Sequence, residues 1–215
     1  WLSSTGDWFI LRSEDFSFYS VPFGTAGDIP TPGDFDGDGI ADNAVYRPSE
    51  TNWYISNSTG GTTIEQFGTA EDKPVVADYD GDGNDDIAIY RPSVNQWWLN
   101  RSNDGVVAYS FGNDGDKTVQ GDYTGDGKAD VAVFRPETGT WFVLRSENQS
   151  FYSVPFGIST DIPTPGDYDG DGEADTAVFR PSENNWYVQA STSGFSVIGF
   201  GTSGDIPLPN VYSVP

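Results

Sequence analysis

Cysteine, methionine and histidine are all absent from this 215-residue chain. Disulfides, thiol nucleophiles and imidazole chemistry are therefore excluded. Bases are scarce: 10 Lys and Arg stand against 33 Asp and Glu, a formal net charge of −23. A field of that sign argues against nucleic acid or an anionic membrane surface as a direct partner. No apolar run is long enough to span a bilayer, so direct membrane insertion is not expected. What the chain has instead is glycine, proline, aspartate and 15% aromatic residues. That mixture fits short strands joined by many turns rather than disorder, because disordered chains are poor in aromatics.

The aspartates are not scattered. Asp34-Phe35-Asp36-Gly37-Asp38-Gly39-Ile40-Ala41-Asp42 returns as 78–86, 122–130 and 167–175, at spacings of 44, 44 and 45 residues. Each copy offers side-chain oxygens at positions 1, 3, 5 and 9, a glycine at 6 and a backbone carbonyl at 7. A hard cation such as Ca²⁺ takes 6–8 oxygens at about 2.3–2.6 Å, and a tightly turned loop can converge them. Without a cation, carboxylates a few Å apart repel by roughly several kcal/mol at an effective dielectric of about 20. Four copies in constant register predict four metal loops. An EF-hand is excluded, since that loop ends in a bidentate Glu at position 12 and lies between helices. Position 12 here is Val45, Ile89, Val133 and Val178, inside short strand-like runs.

Other marks keep the same register. Phe-Gly stands at 23–24, 67–68, 111–112, 156–157 and 200–201, and Arg-Pro at 47–48, 91–92, 135–136 and 180–181. A Trp recurs at Trp8, Trp53, Trp97, Trp141 and Trp186. One unit reads as four strands: into the metal loop (74–78), out of it (86–91), through the Trp (96–101) and up to Phe-Gly (106–111). Four-strand units of about 44 residues match the period of a propeller blade. The second strand is apolar on both faces, as an inner strand should be, and its proline ends it.

The expected fold is therefore a single all-β domain over 1–215, a propeller of four-stranded antiparallel sheets. Its units run approximately 25–68, 69–112, 113–157 and 158–201. A closing blade is expected from 1–24 plus 202–215, for Trp1 aligns with Phe179 and Trp8 with Trp186. That makes five blades. The tail Asn210 to Pro215 lacks loop carboxylates, so the fifth carries no metal site. An incomplete blade presents unpaired strand edges, and self-association there is a further expectation.

The Phe-Gly marks, the Asp-x-Asp-Gly-Asp-Gly-x-x-Asp loops and the Ala-Val-Phe-Arg-Pro that follows resemble FG-GAP/VCBS repeats, over essentially the whole chain. Such repeats occur in integrin α-subunit propellers and in many secreted bacterial proteins. The wording here, with Gly-Asp-Tyr-Asp-Gly-Asp-Gly and Asn-Trp-Tyr, is similar to the bacterial type. Integrin propellers have seven blades, so the count of five is a departure. The resemblance implies a Ca²⁺-stabilised propeller used in adhesion, in recognition or beside an extracellular enzyme. It implies ligand sets of Asp34, Asp36, Asp38, the Ile40 carbonyl and Asp42; of Asp78, Asp80, Asp82, the Asn84 carbonyl and Asp86; and of Asp167, Asp169, Asp171, the Glu173 carbonyl and Asp175. The third set departs from the pattern, with Thr124 among Asp122, Asp126, the Lys128 carbonyl and Asp130.

Four bound Ca²⁺ would bring the net charge to about −15. Extracellular calcium modules bind with Kd as weak as roughly 10⁻⁴–10⁻³ M, which suits an extracellular, secreted or cell-surface protein. Partners are expected to be a protein or a glycan. The repeated Trp reads first as packing between blades. Its alternative is a set of sugar-stacking platforms at Trp8, Trp53, Trp97, Trp98, Trp141 and Trp186. Trp97 and Trp98 must point to opposite faces of their strand. The Arg before each Pro reads as the ion-pair partner of a loop or turn carboxylate. Asn57, Asn100 and Asn148 head glycosylation sequons. Acidic pairs could hydrolyse glycosides, yet nearly half the acids belong to the loops, and a non-catalytic role is expected.

Overall fold

The computed structural model of the chain describes residues 1–12 and 15–207, and among them there are eighteen strands and no helix. Four antiparallel sheets of four strands follow one another. The first contains β3 (Ile29–Pro30), β4 (Asn43–Arg47), β5 (Asn52–Ser56) and β6 (Thr62–Gln66). The second contains β7 (Lys73–Pro74), β8 (Ile87–Arg91), β9 (Gln96–Arg101) and β10 (Gly105–Ser110). The third contains β11 (Lys117–Thr118), β12 (Val131–Arg135), β13 (Thr140–Leu144) and β14 (Phe151–Pro155). The fourth contains β15 (Ile162–Pro163), β16 (Thr176–Arg180), β17 (Asn185–Ala190) and β18 (Gly194–Gly199). Each sheet is a blade whose strands pair in sequence order, so the molecule is an all-β propeller.

The expectation of five four-stranded blades is corrected. Among the described residues there are four, plus a two-stranded sheet of β1 (Asp7–Leu11) and β2 (Phe18–Pro22). That pair has the register of an outer half-blade: Trp8 faces Val21 as Trp141 faces Val154. Trp1 packs on Trp8 with centroids 5.2 Å apart, as Phe179 does on Trp186 at 5.5 Å. The terminal alignment therefore holds on this side. Thr202 to Pro207 forms no ladder, and the rest of the expected closing segment, 208–215, lies outside the described residues.

The first strand of each blade is shorter than its sequence suggests. It has two ladder residues and then a single bridge, such as Ala77 to Asp86, where the chain leaves for the metal loop. The second strand is the core: Ala44, Val45, Tyr46, Ala88, Ile89, Ala132, Phe134 and Ala177 have no exposed surface. The hairpin into the third strand turns through a left-handed residue at Thr51, Asn95, Gly139 and Asn184. Asn and Gly adopt that conformation readily; Thr51 is the exception in the series.

Each turn between blades is locked from both sides. The Trp of the third strand donates its indole N–H to the Phe-Gly carbonyl, as Trp97 does to Phe111 at 3.0 Å and Trp141 to Phe156 at 2.8 Å. The Arg ending the second strand forks back onto the Asp of the turn that precedes its blade, in the pairs Arg47–Asp28, Arg91–Asp72, Arg135–Asp116 and Arg180–Asp161. The expectation of an ion-pair partner is met by the turn carboxylate and not by the loop.

Candidate metal centres

Each acidic loop joins the first and second strands of its blade and is wound on its own first aspartate. Asp34 accepts the amides of Gly37 (2.8 Å), Asp38 (3.2 Å) and Gly39 (2.7 Å). Gly37 and Gly39 sit at φ +74° and +82°, the left-handed region that glycine enters without cost. Asp38 accepts the Ile40 amide at 2.8 Å, and Asp42 closes the loop by accepting the Phe35 amide at 2.9 Å. The loops at 78–86, 122–130 and 167–175 repeat this wiring.

A second segment lies over each loop, and the sequence reading missed it. The turn between third and fourth strands brings Ser58, whose amide donates to Asp42 at 2.6 Å and whose hydroxyl donates to Asp38 at 2.6 Å. Ser102, Ser146 and Ser191 do the same to Asp86 and Asp82, to Asp130 and Asp126, and to Asp175 and Asp171. The signal was a serine at one fixed distance after every loop. Its role depends on a hairpin folding back, which spacing alone does not show.

The carboxylates converge. One oxygen from each of Asp34, Asp36 and Asp42 lies within 4.8 Å of the others, as do those of Asp78, Asp80 and Asp82, and of Asp167, Asp169 and Asp175. The third loop makes no such group of three, because Thr124 stands where the second carboxylate should be. The same position supplies the test of fit. Asp36 Oδ1, Asp80 Oδ1, Thr124 Oγ1 and Asp169 Oδ1 are all buried without a hydrogen-bond partner. A buried acceptor left unpaired costs about 1–3 kcal/mol. Four at one position of four loops, beside converging oxygens, fit a hard cation. With only oxygen donors present, zinc and copper are disfavoured.

Electrostatics record the same crowding. Burial, reinforced by Asp80 and Asp78, pushes Asp86 up to about 7. Burial raises Asp130 to about 6 and also lifts Asp42 and Asp175. Asp171 goes the other way, to about 2, under the hydroxyls of Ser191 and Thr192. Neighbouring loops are tied through the backbone: the amides of Asp85, Ala129 and Ala174 donate to the carbonyls of Asp34, Asp78 and Asp122 at 2.6, 2.7 and 2.6 Å.

The tryptophans lie elsewhere. Trp53, Trp97 and Trp141 have no exposed surface, so none offers a face to a sugar; they pack the blades. Trp8 is 9% exposed, and Trp186 and Trp98 are half-buried. Trp98 points away from Trp97, as alternation requires, and carries the Arg91 guanidinium 5.6 Å from its ring centre. Tyr54, Phe142 and Tyr187 hold Arg47, Arg135 and Arg180 in the same way at 4.2–4.4 Å.

Among solved structures, one concerned with recognition of non-reducing terminal N-acetylglucosamine by an Agrocybe aegerita lectin is 17% identical, with TM-score 0.55 over 88% of this chain and 59% of that one. Virginiamycin B lyase from Staphylococcus aureus is 9% identical, with TM-score 0.59 over 93% and 65%. A protein of unknown function from Bacteroides caccae is 12% identical, with TM-score 0.58 over 95% and 72%. The chain spans less than two thirds of the lectin or of the lyase, and at these identities the likeness is one of fold. No curated protein sequence matches the chain. The profile of the FG-GAP-like repeat matches residues 34–89, 78–133 and 122–178, together more than half of the sequence. The chain belongs to the FG-GAP-like repeat family.

Proposed function

We propose that the chain is a calcium-stabilised, non-catalytic propeller that acts outside the cell as a recognition or assembly module. The observation that carries this reading is the unpaired buried oxygen at the third position of every loop. The loop oxygens would hold the ion, and the ion would supply the positive charge that lets crowded carboxylates pack between strands. The serine clamp ties the loop to the far hairpin, so an ion there braces a whole blade. A supply of calcium outside the cell suits loops of this kind.

Calorimetric titration of calcium into chelator-stripped protein tests the reading. About four sites are expected, with the third loop the weakest because it offers one carboxylate fewer. Thr124→Asp should tighten that weakest step by roughly tenfold and leave the others unchanged. No heat, with an unchanged melting curve, would remove calcium from the account. Light scattering in calcium over a range of concentrations then decides between the two roles. Mass that grows with concentration supports assembly, and a steady monomer near 23 kDa supports recognition.

A glycan ligand is the second reading, favoured by exposed aromatic rings on the outermost strands. Phe18, Phe151 and Phe195 occupy one register position of β2, β14 and β18 and are 65%, 67% and 59% exposed. Binding on a glycan array that is lost in Phe151→Ser would assign these rings; an unresponsive array would set the reading aside.

A further inference from the structure

Between the second and third blades lies a cleft of about 70 Å³ lined by Tyr79, Arg101, Tyr109, Lys128, Arg145 and Gln149. We infer that it binds a carboxylate group, either of a small organic acid or of a uronate sugar.

The repeat makes the comparison with the other clefts direct. Three repeat positions contribute to this lining, and each has counterparts in the other blades: the end of the third strand, the seventh loop residue of the next blade, and the end of that blade's third strand. Between the second and third blades they are Arg101, Lys128 and Arg145. Between the first and second they are Asn57, Asn84 and Arg101, and between the third and fourth Arg145, Glu173 and Ala190. All three are basic in one cleft alone. On a chain with 10 bases and a net charge of −23, four arginines are already held in the buried turn pairs. Three of the remaining six bases converge here.

Two of the three are uncommitted. Arg101 is held by its own turn, donating to the Gly105 and Asp104 carbonyls at 3.2 and 3.0 Å, with Asp104 Oδ2 3.5 Å from its Nη1. Arg145 and Lys128 make no ion pair among the described residues. Arg145 Nε is buried with no acceptor, and its guanidinium is fixed 4.9 Å from the ring centre of Tyr152. The Lys128 stem lies along the neighbouring loop, where a Cβ on Gly81 would come within 3.1 Å of its Cγ. A stacked guanidinium with an open donor, beside an ammonium, is a fork for a planar oxyanion. The volume sets the size of the guest. The cleft has room for several waters, and so for a carboxylate. None of these side chains is a loop carboxylate, but Lys128 is the seventh residue of the third loop and is placed by it, so the test is run in calcium.

The test is an NMR titration of the intact chain in calcium with acetate, glucuronate and inorganic sulfate. Saturable shifts confined to Tyr109, Arg145 and Gln149 are expected with the carboxylates. Arg145→Gln should weaken them at least tenfold. Lys128→Gln should also weaken them, with the folded spectrum otherwise intact. Arg12→Gln is the control: Arg12 holds the equivalent position on the two-stranded sheet, 5.2 Å from the Tyr19 ring centre, and its loss should leave the titration unchanged. Glucuronate binding tighter than acetate assigns the uronate source, and equal binding assigns the free acid. Three results overturn the inference: no saturable shift at millimolar ligand, equal binding by Arg145→Gln, or sulfate binding more tightly than either carboxylate.

Discussion

Stripping divalent cations with a chelator is expected to lower the thermal midpoint by at least about 8 °C. An ion that binds only the folded chain stabilises it by RT ln(1 + [L]/Kd), which is about 1.4–2.7 kcal/mol per site at 10–100 times Kd. Three or four such sites contribute roughly 4–11 kcal/mol together. At about 2–4 °C per kcal/mol for a domain of this size, the shift is large. It should also depend on pH with a definite sign. In the metal-free fold Asp86 lies near 7 and Asp130 near 6, both raised by burial, while an unfolded Asp lies near 3.9. The metal-free fold thus holds protons that the unfolded chain has released. That stabilisation is complete below about pH 4 and is lost as pH rises through 6 and then 7. Chelated protein should therefore melt higher at pH 5 than at pH 8. Calcium competes for the same oxygens, so the gap between calcium and chelator curves should widen as pH rises. A gap of the same size at both pH values would mean that the buried aspartates are not where the ion sits.

The loops, the strands and the Arg-Pro turns were legible because four copies in register turn spacing into geometry. A residue that recurs at one offset must occupy one structural place. What escaped notice was of two kinds. Some of it depends on tertiary return, as with Ser58, Ser102, Ser146 and Ser191, whose hydroxyls meet the loops only after a hairpin folds back. The rest lies where the repeat is broken. Asp85 stands where Ala41, Ala129 and Ala174 occupy the eighth loop position. It accepts the Asp34 amide at 2.8 Å, and burial raises it to about 6. Lys128 breaks the pattern in a different cleft; Ile40, Asn84 and Glu173 hold the equivalent loop position. Averaging over copies reveals a fold and hides the single place where one copy differs. The Trp question turned on a different kind of information. A strand's alternation predicted that Trp97 and Trp98 diverge, but which of them faces the core is decided by the neighbouring blade.

The largest single-residue effect is expected at the turn pairs. Arg91 donates Nε and Nη2 to the two oxygens of Asp72, each at 2.8 Å, and the Asp72 side chain has no exposed surface. Its other partner is the Thr69 amide at 2.7 Å. Arg91→Ala would leave a buried carboxylate with one hydrogen bond and no counter-charge, and breaking a buried pair from one side costs about 3–5 kcal/mol. Arg91→Lys would retain the charge but lose the fork and the stacking on Trp98, with a loss of roughly half as much. Urea unfolding in saturating calcium measures both. Asp72→Ala with Arg91→Ala should cost less than the sum of the single changes, because each single change strands a charge that the double change removes. The chain supplies its own comparison at Asp205, which accepts the Thr202 amide at 2.7 Å in the same kind of turn. It has no arginine partner among the described residues, and it stays exposed to water. An aspartate at this position is buried where an arginine meets it. If Arg91→Ala costs under about 1 kcal/mol, the pair is an ordinary surface contact, and burial of the turn must be credited to the Trp53 indole and the Phe67 carbonyl alone.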